Sequence, residues 1–328
     1  EEDVASLVTL LTSESEAVLQ AAENALVSME GDAVDTALAQ RISGANSPVY
    51  AKLVSLLANR RAGQAIPEAL KALQSEDIEV RTAALEALAL LGGPAEAPAV
   101  IDVIATTTDP SERATAESTL NAIAARKGDE ILPVVLEAMG GAKDEVRLVL
   151  LQSAAEIGSA RALEAVLAAM QDTNPEISGE AVRMLSNWAT LEAALHLEAL
   201  AKNEDLTKYV LGLRGYVRLA REEAQGAQKV DMLKKALELA RRPDEVKLVL
   251  GAWGSLKHAA ALNTLKPYLD QPEVRNEAAL AIIGIAGQVD KKNEQQKEQA
   301  VEALNALIAK CEDQGIRDNA QKVLDGLK

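Results

Sequence analysis

Apolar residues recur along this chain at offsets that repeat as a block. From Pro67, Leu70 and Leu73 follow at three-residue steps, then a polar turn, then Val80, Arg81, Leu91 and Gly92. From Pro133 the same offsets return Leu136, Met139, Val146, Arg147, Ile157 and Gly158. From Glu164 they return Leu167, Met170, Ile177, Ser178, Trp188 and Ala189. Pro98 opens another copy with Ile101 and Ile104, and its Arg113 comes one residue late. The starts at 67, 98, 133 and 164 are 31, 35 and 31 residues apart.

Each block reads as a helical hairpin. Proline suits the first turn of the first helix, where its missing N–H costs nothing. Ser, Asp or Asn in the turn caps the second helix. Gly ends the second helix by accepting a left-handed conformation. One hairpin cannot bury its own apolar face, whereas a stack of hairpins buries a continuous core. The pattern predicts about ten hairpins, at roughly 3–31, 32–62, 65–93, 96–128, 130–158, 160–189, 191–224, 228–257, 259–289 and 293–328. The polar hairpins near 1–31 and 293–328 are expected to cap the stack. The whole of 1–328 is expected to form a single repeat domain.

Composition agrees with an all-α chain. Aromatic residues make up 2% and Phe is absent, so the core must be Ala, Leu, Val and Ile. The formal charge of −16, from 34 Lys and Arg against 50 Asp and Glu, repels phosphate backbones and argues against nucleic acid. Cys311 is the single cysteine, which excludes an internal disulfide and a multi-cysteine zinc site. No apolar run reaches the length of a membrane span. No signal peptide is visible, and a chain that starts at Glu1 rather than Met is expected to be a trimmed one.

The residues of 65–189 resemble the HEAT-repeat family: Pro in the first helix, an acidic turn, then Val-Arg opening the second. The resemblance implies an α–α superhelix, or α-solenoid, with the second helices on the concave side. It also implies an Asp–Arg ladder between neighbouring repeats, carried here by Arg81, Arg113, Arg147 and Arg275. The runs at 209–220, 236–256 and 265–286 resemble a narrower bacterial group of HEAT-repeat proteins. Members of that group accompany 3-keto-disaccharide hydrolase-type domains and often carry export signals. This implies an extracytoplasmic (periplasmic or secreted) location and a carbohydrate-active enzyme as partner. No residue here matches a catalytic motif of that hydrolase.

Three features bear on function. Trp188 takes the place of Leu91 and Ile157 in the repeat, and Trp253 precedes a helix-end Gly, so both are expected in the core. Glycine pairs at 212/215, 251/254 and 284/287 predict close helix approach or bending, with tighter curvature in hairpins seven to nine; Gly254 and Gly287 also fit plain helix ends. Arg183 and Arg214 fall at the place of Glu86 and Gln152, along the second helices. With Tyr216 and Arg218 they are expected to form a cationic–aromatic patch for a carboxylate-rich peptide or another anion. The alternative is a solvated ladder with Glu180 or Glu192.

Catalytic chemistry finds little support. His196 sits at helical spacing, and His258 reads as a loop or C-cap residue. Cys311 is followed by Glu312 and Asp313, which disfavour a thiolate. Carboxylates such as Glu76, Asp77, Asp144, Glu145, Asp244 and Glu245 sit at helix starts, where the helix dipole explains them. Other HEAT-like chains include enzymes: bilin lyase relatives, which bind a tetrapyrrole, deoxyhypusine hydroxylase relatives, with iron on His-Glu pairs, and alkylpurine DNA glycosylase relatives. Here the histidines read His196-Leu197 and His258-Ala259, and the charge is acidic. No cofactor and no metal are expected. The leading reading is a non-enzymatic scaffold that holds a protein or peptide on its concave face. The alternative is an accessory carbohydrate-binding module, which requires exposed aromatic platforms.

Overall fold

The computed structural model describes residues 2–254, 256, 259 and 261–327. Among them are twenty α-helices and no strand, paired as the ten expected hairpins. The chain divides into two compact units, Glu1–Ala181 and Val182–Lys328.

In the first unit the hairpins are α1 (Glu2–Leu10) with α2 (Glu16–Ser28), α3 (Asp32–Ile42) with α4 (Ser47–Asn59), and α5 (Ala65–Ala72) with α6 (Ile78–Leu91). Then come α7 (Ala97–Thr106) with α8 (Pro110–Lys127), and α9 (Leu132–Met139) with α10 (Asp144–Ile157). The sixth pairs α11 (Ala160–Ala169) with α12 (Pro175–Ser186), and the division between the units falls within α12, after Ala181. In the second unit α13 (Ala194–Leu200) pairs with α14 (Leu206–Glu222), and α15 (Gly226–Leu239) with α16 (Pro243–Trp253). There α17 (Ala261–Leu265), extended by a 3₁₀ turn over Lys266–Asp270, pairs with α18 (Arg275–Ala286), and α19 (Glu294–Lys310) with α20 (Gln314–Asp325).

The turns do what their residue types predict. Asp77 accepts the Glu79 N–H at 2.9 Å, and Asp109 accepts those of Ser111 and Glu112 at 2.9 and 2.8 Å. Asp205 and Asp313 cap α14 and α20 in the same way. Each such cap contributes about 1 kcal/mol. Gly158 ends α10 at φ 69°, in the left-handed region as expected. Gly92 corrects that expectation, because its φ is −59°. A Cβ there would stand 2.7 Å from the Leu88 carbonyl oxygen and 3.2 Å from Ile123 Cδ1, so close packing, not handedness, requires glycine.

Within the first unit α4, α6, α8 and α10 pack one on the next, and within the second α14, α16, α18 and α20 do so. These rows are packed more tightly than the rows of first helices. A tighter row lies on the inner side of a bend, so the second helices line the inner face of each unit. Their core is aliphatic: Leu53, Leu57, Leu85, Leu88, Leu120 and Ile123 in one unit, and Leu213, Leu250, Ile282 and Ile285 in the other, are fully buried. Burying each such side chain stabilises by about 1.5–3 kcal/mol.

The second unit also shows the close approach that the glycine pairs predict. A Cβ on Gly212 would lie 2.6 Å from the Ala201 nitrogen, and one on Gly215 2.6 Å from the Ser186 carbonyl oxygen. Gly284 meets the Gly254 carbonyl oxygen at 2.7 Å by the same measure. Gly251 faces open space, and Gly254 and Gly287 stand at helix ends. Gly215→Ala is therefore expected to cost about 2 kcal/mol, because backbone must move to admit one methyl. Gly251→Ala should instead be neutral or stabilising. Urea unfolding midpoints of the two variants check this contrast.

Candidate functional site

Stacking leaves one recurrent position of the second helices in solvent. It is filled by Glu86 and Gln152 in the first unit, and by Arg183, Arg214, Gly251 and Leu280 in the second. Each follows directly on a buried residue: Leu85, Leu151, Val182, Leu213, Leu250 and Ala279. The buried neighbour builds the stack, and the exposed one differs from repeat to repeat.

Arg183 and Arg214 thus share a position on consecutive second helices, as the sequence predicts. Within the second unit, Ser186 at the end of α12 donates its hydroxyl to the Leu211 carbonyl of α14 at 2.9 Å, which ties that end to α14. Farther along the same row of second helices, Leu248 and Leu280 are 39% and 53% exposed. The face therefore joins two guanidinium groups to an apolar stretch. Arg214 also adds to the field on Glu245, whose carboxyl is held below its usual range chiefly by the Arg242 guanidinium.

Tyr216 and Arg218 do not join this patch as expected. Tyr216 is 5% exposed, on the side of α14 that faces the core. Burial, with a smaller push from Glu198, raises its phenol to about 12. It follows Gly215, whose missing side chain lets α14 close on its neighbours, so the ring turns inward. Arg218 is half-buried, and donates to the Trp188 carbonyl at 2.5 Å and the Ser186 carbonyl at 3.4 Å. It caps the C-terminal end of α12 with positive charge.

That capping recurs, and the sequence pattern missed it. Arg60 donates to the carbonyls of Leu26 and Met29 at the C-terminal end of α2, and Arg126 to those of Ala89 and Gly92 at the C-terminal end of α6. Each arginine reaches back to the preceding hairpin's second helix. The three do not share one repeat offset, because a long side chain reaches the same carbonyls from different turns.

The ladder at the other end of the second helices is present, with glutamate as well as aspartate. Arg81 meets Glu112 of the next hairpin at 2.5 and 3.0 Å, and Arg275 meets Glu312 at 3.0 Å. Arg147 bridges Asp144 at 2.9 Å and Asp172 of the next hairpin. Arg113 donates instead to its own turn, at the Thr107 carbonyl. Glu112 and Glu245 are buried at 3% and 5%, in the repeat place that Val80 and Val146 fill elsewhere.

The remaining sequence candidates are dispersed. His196 is exposed on α13, and Cys311 is buried with its sulfur 3.8 Å from Asn276 Oδ1. His258 lies outside the described residues. Trp188 and Trp253 are in the core, as expected, so neither offers a sugar platform. Among the described residues no three His, Cys, Asp or Glu side chains gather as a metal site, and no helix is long and apolar enough to cross a membrane.

Charge divides unevenly between the units. The first has 12 Lys and Arg against 29 Asp and Glu; the second has 22 against 21. The net −16 therefore belongs to the first unit, and the arginine-bearing face stands on a nearly neutral one.

A family model for HEAT repeats matches residues 34–121 and 132–211. No curated protein matches the chain. Among solved structures, an engineered protein is 20% identical over 99% of this chain and 98% of its own, with a TM-score of 0.40. The complex of CpcE and CpcF of phycocyanin lyase from Nostoc sp. PCC7120 is 17% identical over 72% of this chain and 94% of its own, with a TM-score of 0.34. Kap95p, in its complex with RanGDP, is 11% identical over 99% of this chain and 51% of its own, with a TM-score of 0.45. At these scores none of the likenesses extends to function.

Proposed function

The chain belongs to the HEAT-repeat family, and from that premise we propose that it is a non-enzymatic scaffold binding a protein segment on the inner face of its second unit. The observation that supports this is the row of Arg183, Arg214 and Leu280, with Leu248 beside it, exposed while the adjacent residues build the core. Such a face suits a segment with carboxylates toward the arginines and apolar side chains over the leucines. In this reading Tyr216 and Arg218 hold the helices in place and do not touch the partner. The polar hairpins at the two ends serve as caps.

The test is affinity capture from a native extract, envelope fraction included, with mass spectrometry of what is retained. The parent is expected to retain a defined protein, and Arg183→Glu/Arg214→Glu to lose it. Both side chains are exposed, so the variant should fold. Retention unchanged by the double substitution would move the partner to another face. If the retained protein is a carbohydrate-active enzyme, the partner implied by the narrower resemblance is identified as well.

A further inference from the structure

A second surface, built from none of the residues of the arginine face, lies on the first helices of the acidic unit. Between α7 and α9 runs an open groove of about 440 Å³. Its floor is apolar, with Ile101, Ala105, Val134, Ala138 and Val146. Its two charged residues are Asp102 on α7 and Glu137 on α9, one on each rim. Both are exposed, and neither carboxylate has a hydrogen bond or ion pair among the described residues. The neighbouring groove between α9 and α11 differs: it carries Arg147 and Arg161 as well as Glu164 and Asp172, so its charge is balanced.

We infer that the groove between α7 and α9 docks a basic amphipathic helix of a partner protein. An apolar stripe would lie on the floor, and lysines or arginines on both edges of the stripe would meet Asp102 and Glu137. Three observations carry this together. The floor is apolar, so the occupant needs an apolar stripe. The rims are anionic on both sides, so a basic residue is matched at either edge and an acidic one at neither. The unit around them has 12 basic against 29 acidic residues, a field that steers cations toward it. Length fits as well: α7 has 10 residues, so the groove beside it spans about 15 Å, roughly three turns of a helix. This surface uses no residue of the arginine face and stands whether or not that face binds a partner.

The probe is a synthetic peptide of about 20 residues, past the length at which an isolated helix is marginal in water, with leucines on one stripe and lysines along both edges. A scrambled peptide of the same composition keeps the charge and loses the stripe. Fluorescence anisotropy against the full chain should show saturable binding of the first peptide and at least tenfold weaker binding of the second. Asp102→Lys/Glu137→Lys should weaken the first peptide by about tenfold, because two attractions become repulsions. Ala138→Leu, which fills the floor and leaves the charge intact, should weaken it similarly. Arg183→Glu/Arg214→Glu should leave it bound. Equal affinity for the scrambled peptide would reduce the effect to diffuse attraction by an acidic unit and overturn the proposal. Binding insensitive to both groove variants would also overturn it.

Discussion

Arg81→Met is expected to cost about 3 kcal/mol at neutral pH, near the lower end for breaking a buried ion pair. Arg81 holds four acceptors at once: both carboxylate oxygens of Glu112, and the carbonyls of Ser75 and Glu76 in its own turn. Glu112 is 3% exposed, so removing the guanidinium strands a carboxylate that water cannot reach. The Thr107 hydroxyl still donates to it at 2.5 Å, which softens the loss without neutralising the charge. In the parent, Arg81 holds the Glu112 carboxyl below its ordinary value, against the opposing effect of burial. The stabilisation it gives is complete above the unfolded carboxylate pKa, and is lost as pH falls through the folded value. In the variant, burial acts without Arg81 and pushes the carboxyl up. The gap between parent and variant should therefore be widest at neutral pH and close as pH falls and Glu112 takes a proton. Urea unfolding across pH 3 to 7, on roughly one-unit steps, checks this. A gap independent of pH would mean that the turn carbonyls, not Glu112, account for the loss. Arg81→Met/Glu112→Leu should recover most of the stability, since a paired apolar replacement leaves nothing stranded.

The same ladder predicts a gradient. Asp172, which pairs with Arg147, has 13% of its side chain exposed, while Glu312, which pairs with Arg275, has 91%. Removing the exposed partner, as in Glu312→Gln, should consequently cost well under 1 kcal/mol, as for exposed pairs generally, since Arg275 keeps its bond to the Leu269 carbonyl. Sequence alone identifies all three arginines as equivalent, since each opens a second helix. Their difference lies in where the acid stands, and that is decided by packing. Glu112 occupies a place that is valine in two other repeats, so a reading by residue type takes it for one more helix-start carboxylate. The hairpin pattern was legible because it follows from chain-local spacing: a proline start, a capped turn, an apolar stripe. The exposed position of Arg183 and Arg214 was legible for the same reason, being one residue beyond a predictable core position. Tyr216 was not. Its direction depends on how closely α14 approaches its neighbours, which Gly212 and Gly215 set through contacts with Ala201 and Ser186. The groove between α7 and α9 was invisible too, because its lining joins α7 of one hairpin to α9, the following turn and α10 of the next.

Trp253→Ala is expected to be the most damaging single substitution considered, at about 3–5 kcal/mol, from the cavity left by a fully buried indole. Trp253 closes α16, which packs between α14 and α18, so its loss loosens two interfaces between hairpins. In a stacked repeat, stability is close to a sum of unit and neighbour terms, so damage at one interface can uncouple what lies beyond it. The unfolding transition should then broaden or split as well as shift. A second variant separates packing from polarity. The Trp253 indole N–H has no hydrogen-bond partner among the described residues, whereas that of Trp188 donates to the Thr190 hydroxyl at 3.2 Å. An unpaired buried donor costs about 1–3 kcal/mol, so Trp253→Phe gives up some packing but removes that penalty. It should therefore retain most of the parent stability. Trp188 remains in both variants as a fluorescent reporter of the second unit, and urea titrations followed at its emission give the comparison directly. A loss in Trp253→Phe as large as that in Trp253→Ala would show that the indole N–H is paired in solution.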